Sequence, residues 1–96
     1  MNKDYINYKS KEAKQLYQAI LSLKTTDEVS KFIRDLCTVE EISEMTKRWQ
    51  AVRMLDKDKS YREIAEKTGL STTTVTRVAQ WLRRGKGGYQ LVLKRK

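Results

Sequence analysis

The sequence predicts an all-α domain of five to six helices, and three observations carry that expectation. Apolar residues recur at spacings of three and four along nearly the whole chain, the repeat of a helix with one buried stripe. Proline is absent and the glycines cluster late, so little interrupts the helical pattern. Ser, Thr or Asp stands ahead of the later repeats, where a side-chain oxygen can accept from the free amides of a helix start.

The first helix is expected over about residues 9 to 23, with Leu16, Ala19, Ile20 and Leu23 on one stripe. Lys24-Thr25-Thr26-Asp27 breaks that pattern. Thr26 or Asp27 is placed to cap a second helix, in which Val29, Phe32, Ile33 and Leu36 recur at i, i+3, i+4 and i+7. Thr38 followed by Glu41 is a capping-box signature for a third helix carrying Ile42, Met45, Trp49, Val52 and Leu55. Asp56-Lys57-Asp58-Lys59 reads as a polar turn. Ser60 and Glu63 make another capping box, for a fourth helix ending at Lys67 or Thr68. Gly69 supplies a left-handed turn conformation. Ser71 then caps a fifth helix that reaches about Arg84 and stops at Gly85-Lys86-Gly87-Gly88. Tyr89 to Lys96 adds one or two helical turns. Tyr89-Gln90-Leu91-Val92-Leu93 also has strand character, but no partner strand is visible. The basic tail Lys94-Arg95-Lys96 is expected to fray.

Ninety-six residues suggest a single domain, 1–96. Within it, 9–55 form dimerisation and core helices, 60–84 a helix-turn-helix, and 85–96 a C-terminal segment with a basic tail. A domain this small is marginal alone, and homodimerisation is a common remedy. The single cysteine, Cys37, excludes an intramolecular disulfide, fits a reducing cytosol, and is expected to be a small core residue. No hydrophobic run approaches the roughly 18 residues of a membrane span, and Met1-Asn2-Lys3-Asp4 lacks the apolar stretch of a signal peptide. A cytoplasmic location is therefore expected, with no membrane partner.

Histidine is absent, which removes the commonest general base and, with one cysteine, argues against a zinc site. No GxGxxG, GxxxxGK[ST] or GxSxG pattern occurs. No pair of carboxylates is singled out, so the expectation is a protein that is not an enzyme and carries no metal or cofactor. The formal net charge is +9. Residues 1–46 hold seven Lys/Arg against eight Asp/Glu, whereas residues 47–96 hold fourteen against four. The charge is thus −1 in the first half and +10 in the second, as expected of a surface that meets a polyanion.

The stretch from Tyr61 to Gln80 fits a helix-turn-helix. Such a unit needs a small residue where its helices cross, and Ala65 is placed for that. It needs a residue tolerant of positive φ four positions later, which Gly69 is. Ile64, Leu70, Val75 and Val78 fall at the spacings that lock the two helices together. Ser71, Thr72, Thr73 and Thr76 supply short polar groups at the start of the second helix, where base edges are met. In the major groove, Thr72, Thr73, Thr76 and Gln80 share one face. A threonine offers a hydroxyl to a base or phosphate and a methyl to thymine, and Gln80 suits adenine. Arg77, Arg83, Arg84 and Lys86 are candidate phosphate contacts, an arginine reading guanine being the alternative, with Arg62 a further contact near the start of the fourth helix. Ser71 is a cap first and a phosphate contact second.

These residues resemble the Trp-repressor superfamily over Thr38 to Arg84, and within it the YerC/YecD-type Trp-repressor-like proteins. Leu21-Ser22-Leu23-Lys24, Asp35-Leu36-Cys37-Thr38, Arg53-Met54-Leu55, Thr68-Gly69 and Thr76-Arg77-Val78 carry the likeness, which extends over roughly Leu16 to Leu93. The resemblance implies an intertwined homodimer of helical chains, with the segments from Lys9 to Leu36 at the interface. It also implies DNA contacts at Arg62, Thr72, Thr73, Thr74 and Thr76. Thr72 and Thr73 replace an apolar pair of the Trp repressor, and Ala65 replaces a lysine, so the operator does not carry over. The Trp repressor's tryptophan pocket corresponds to Thr38, Arg48, Arg77, Val78 and Trp81. Val78 replaces a glycine and Trp81 a serine there, so tryptophan is not the expected ligand, and another small effector stays an open question. In the plainest reading Val78 and Trp81 are core and there is no corepressor.

The leading expectation is a sequence-specific regulator of transcription, a repressor, acting on double-stranded DNA as a homodimer. The alternative is a protein-interaction adaptor of the transcription machinery on the same fold. RNA binding fits less well, because Tyr61 and Tyr89 are isolated and form no stacking platform.

Overall fold

The computed structural model describes residues 7–95, and Met1-Asn2-Lys3-Asp4 and Lys96 lie outside them. Six helices follow in order: α1 (Lys11–Leu21), α2 (Thr26–Leu36), α3 (Val39–Asp56), α4 (Tyr61–Thr68), α5 (Thr72–Arg84) and α6 (Gly88–Lys94). No strand occurs among the described residues.

The helix ends follow from capping chemistry. Ser10 accepts from the Ala13 amide at 3.1 Å to open α1. Thr25, rather than Thr26 or Asp27, opens α2, accepting from the Glu28 amide at 3.1 Å. Asp27 and Glu28 instead lie inside the first turn, where their charge favours the positive end of the helix dipole. Ser60 accepts from the Glu63 amide at 3.1 Å, while the Glu63 carboxylate lies 3.7 Å from Lys67 Nζ one turn on. Ser71 accepts from the Thr74 amide at 3.1 Å and opens α5. Between α4 and α5 Gly69 has φ +80°, the left-handed conformation its place in the turn requires. The strand alternative over Tyr89 to Leu93 gives way to α6. Tyr89 and Leu93, four residues apart, both pack on the core, and Gln90 Nε2 donates to the Leu82 carbonyl at 2.7 Å. Lys94 is the last helical residue of that element.

The helices divide into two compact units, one ending at Thr38 and one beginning at Val39. In the first, neither α1 nor α2 has a buried residue. Leu16, Ala19, Leu23, Phe32 and Ile33 are half-buried, whereas Leu21 is 83% exposed and Leu36 51%. Cys37 is likewise half-buried rather than core, because this unit encloses no interior. The second unit holds the core: Ala51 and Val52 of α3, Ile64 of α4, Leu70, and Val75 and Val78 of α5. α3 packs on both α4 and α5, and α6 on α5. The third helix thus shares its core with the helix-turn-helix. No helix among the described residues is long and apolar enough to cross a membrane.

Candidate nucleic-acid interface

The turn between α4 and α5 sets the site. Ile64, Leu70, Val75 and Val78 are all buried, as their spacing requires. Ala65 is half-buried, and the fully enclosed small residues are Ala51 at 0% and Ala79 at 1% exposure. Thr68 is the buried polar residue of the turn. Its Oγ1 donates to the Ile64 carbonyl at 2.7 Å and accepts from the Leu70 amide at 3.2 Å. One hydroxyl thus closes the last turn of α4 and satisfies an amide buried beyond it. Sequence reasoning treats Thr68 only as a helix end; its place beside Gly69, at the one break in the motif, is the signal that marks it.

With that turn fixed, α5 buries Val75, Val78 and Ala79 and turns Thr72, Thr73, Thr76 and Gln80 outward. At 3.6 residues per turn these four lie within about 100° of arc. Thr74 is half-buried and its Oγ1 accepts from Ser71 Oγ at 3.0 Å, so both groups are engaged in the cap. The Thr76 hydroxyl donates to the Thr72 carbonyl at 2.9 Å. Arg77, Arg83, Arg84 and Lys86 are exposed, and α5 carries no acidic residue. Arg62 is exposed on α4, with its Nε 3.9 Å from Glu66. Such a pair adds little stability and leaves the guanidinium able to exchange partners.

The residues matching a corepressor pocket are placed differently. Val78 is 0% exposed and takes no part in any surface that a ligand reaches. Trp81 is not core: it is 45% exposed, on the flank of α5 at the edge of its buried stripe. The Arg48 guanidinium lies 5.7 Å from the Trp81 ring centre, so the side chain of the protein itself occupies the guanidinium face. Arg48 Nε is also 3.4 Å from Glu44, though not hydrogen-bonded to it. Arg77 is exposed on α5, and Thr38 belongs to the first unit. Trp81 instead borders an open groove of about 880 Å³ with Trp49, Tyr89, Val92, Arg84 and Lys86. No group of three or more His, Cys, Asp or Glu side chains able to hold a metal occurs among the described residues.

Comparison with known proteins agrees with this architecture. The family model of the Trp repressor protein matches residues 11–96. The chain is 40% identical over 87 residues to "Uncharacterized protein YerC" of Bacillus subtilis, covering 91% of this chain and 84% of that protein. The crystal structure of a TrpR-like protein from Eubacterium eligens superposes with a TM-score of 0.87 at 44% identity, covering 92% of this chain and 91% of that one. A second solved structure, from Staphylococcus aureus, gives a TM-score of 0.85 at 34% identity, covering 91% and 87%.

Proposed function

The chain belongs to the Trp repressor protein family, and from that premise we propose that it is a sequence-specific regulator of transcription that inserts α5 into the major groove of double-stranded DNA. The observation that carries this reading is the face of α5 itself. Thr72, Thr73, Thr76 and Gln80 are exposed together on a helix held at its start by Ser71 and Gly69, with Arg77, Arg83 and Arg84 beside them and no carboxylate on that helix. Short polar groups meet base edges, and the arginines, with Lys86 and Arg62, meet phosphates. The protein acts as a homodimer joined through α1 and α2, whose apolar stripes find no interior within their own unit. Blocking polymerase access is its mode of action, in the cytoplasm, without a metal or organic cofactor and without tryptophan as corepressor.

Selection from a randomised duplex library at two salt concentrations, with no added ligand, tests this. A two-fold symmetric site should be enriched, and its affinity should fall with salt at a slope of about −0.9 per phosphate neutralised. Absence of any enriched sequence would reject the proposal. It would favour the second reading, a protein-interaction adaptor, for which the exposure of Trp81, Leu91 at 53% and Val92 at 50% speaks.

A further inference from the structure

The exposed face of α5 is chemically uneven, and the unevenness bears on which bases it reads. The single proton of the Thr76 hydroxyl is committed to the Thr72 carbonyl at 2.9 Å. That bond fixes χ1 and leaves outward only the γ-methyl and the oxygen's lone pairs. One turn further, Gln80 is exposed on the same face. No Asp or Glu occurs on α5, so the side chains best suited to accept from cytosine N4 are missing from it. Among the major-groove edges, thymine alone carries a methyl group, and adenine alone offers the N6/N7 pair that fits a carboxamide.

Resting on the DNA-binding reading above, we propose that α5 selects its target by thymine and adenine: the Thr76 γ-methyl packs on a thymine C5-methyl, and the Gln80 carboxamide pairs with adenine on a neighbouring step. The rise of a helix is about 1.5 Å per residue, so the two side chains start about 6 Å apart along α5, near enough to meet nearby base pairs. Thr76 thereby acts as a specificity determinant through its hydrocarbon, not its hydroxyl. Both contacts fall on A·T pairs.

The test uses the full-length protein and the duplex enriched by the selection. Each thymine is replaced singly by deoxyuridine, which removes the methyl and nothing else. Wild-type protein should lose about fourfold in affinity at one thymine per half-site, the worth of one buried methyl group. That penalty should vanish in Thr76→Ser, which keeps the hydroxyl and lacks the methyl. Thr76→Ser should also bind the unmodified duplex more weakly than Thr76→Val, which keeps the methyl and lacks the hydroxyl. Circular dichroism checks that both variants fold, which the exposure of Thr76 favours. The inference is overturned if no uracil weakens binding, if the penalty persists in Thr76→Ser, or if Thr76→Val is the weaker of the two. A library that yields no enriched duplex rejects the DNA-binding reading itself, a different result from an enriched duplex indifferent to uracil.

Discussion

Thr68 and Gly69 show how much of the turn depends on single groups. The Thr68 hydroxyl satisfies the Leu70 amide, and both residues are buried. Thr68→Val keeps the shape and removes the acceptor, so it should destabilise the fold by about 1–3 kcal/mol in urea unfolding, while Thr68→Ser recovers most of that. Gly69→Ala meets no collision, since the nearest atom to an added Cβ would be Lys47 Nζ at 4.0 Å. Its cost is therefore conformational, about 1–2 kcal/mol for holding an L residue at positive φ, read as a lower midpoint with an unchanged urea slope. The glycine was legible from the sequence because its role is backbone geometry. The threonine was not, because a buried acceptor is defined by an amide two residues away in a turn that the sequence does not draw. Trp81 was misplaced for a related reason: a large apolar residue suggests core, but its angle around α5 sets it at the edge of the buried stripe, where it stays 45% exposed. With the ring over Arg48 and Val78 enclosed, titration calorimetry with L-tryptophan is expected to give no saturable heat.

Helices α3, α4 and α5 share one interior, and Ile64 sits in it at 0% exposure. Ile64→Ala leaves a cavity between three elements that are each tied to other partners, so it should cost about 2–5 kcal/mol, and Ile64→Val about 0.5–1.5 kcal/mol. Differential unfolding of the two variants checks the ratio. At this scale the sequence was most informative. Periodicity placed the first five helices, and Ser60 and Ser71 cap where their positions require. The differences are single-residue shifts, such as Thr25 replacing Thr26 or Asp27, where three adjacent residues could each have served as cap. Periodicity alone left α6 open, because five apolar-rich residues satisfy a strand as well as a helix; Tyr89 beside Trp49, ring centres 6.3 Å apart, is the contact that decides it.

Across the whole molecule, exposed apolar stripes mark the first unit, and positive charge gathers in the half of the sequence after Thr46. The first exposes its stripes: Ile20 at 39%, Val29 at 39% and Leu36 at 51%. An amphipathic helix with no interior of its own gains stability only by covering that stripe. Sedimentation equilibrium at micromolar concentration should therefore give a dimer, and Leu36→Glu should shift it toward monomer; a wild-type monomer at that concentration rules out the shared interface. Charge was legible from residue counts, since residues 47–96 carry +10 and residues 1–46 carry −1. The division after Thr38 was not, because α3 shows the same repeat whether it packs on the helices before it or after it. Arg83→Ala and Arg84→Ala should each flatten the salt slope of duplex binding by about one and weaken all sequences alike, because both side chains project from the end of α5 as point charges.

The two tryptophans differ in setting, and that difference makes the protein its own optical instrument. Trp49 is half-buried beside Tyr89, whereas Trp81 lies 45% exposed on α5. Iodide should quench the emission of Trp81 strongly and that of Trp49 weakly, giving a curved Stern–Volmer plot that becomes straight in Trp81→Phe. Tyrosine-excited emission through Trp49 then follows the docking of α6, while the red-edge signal of Trp81 follows events at the end of α5, both without an attached dye.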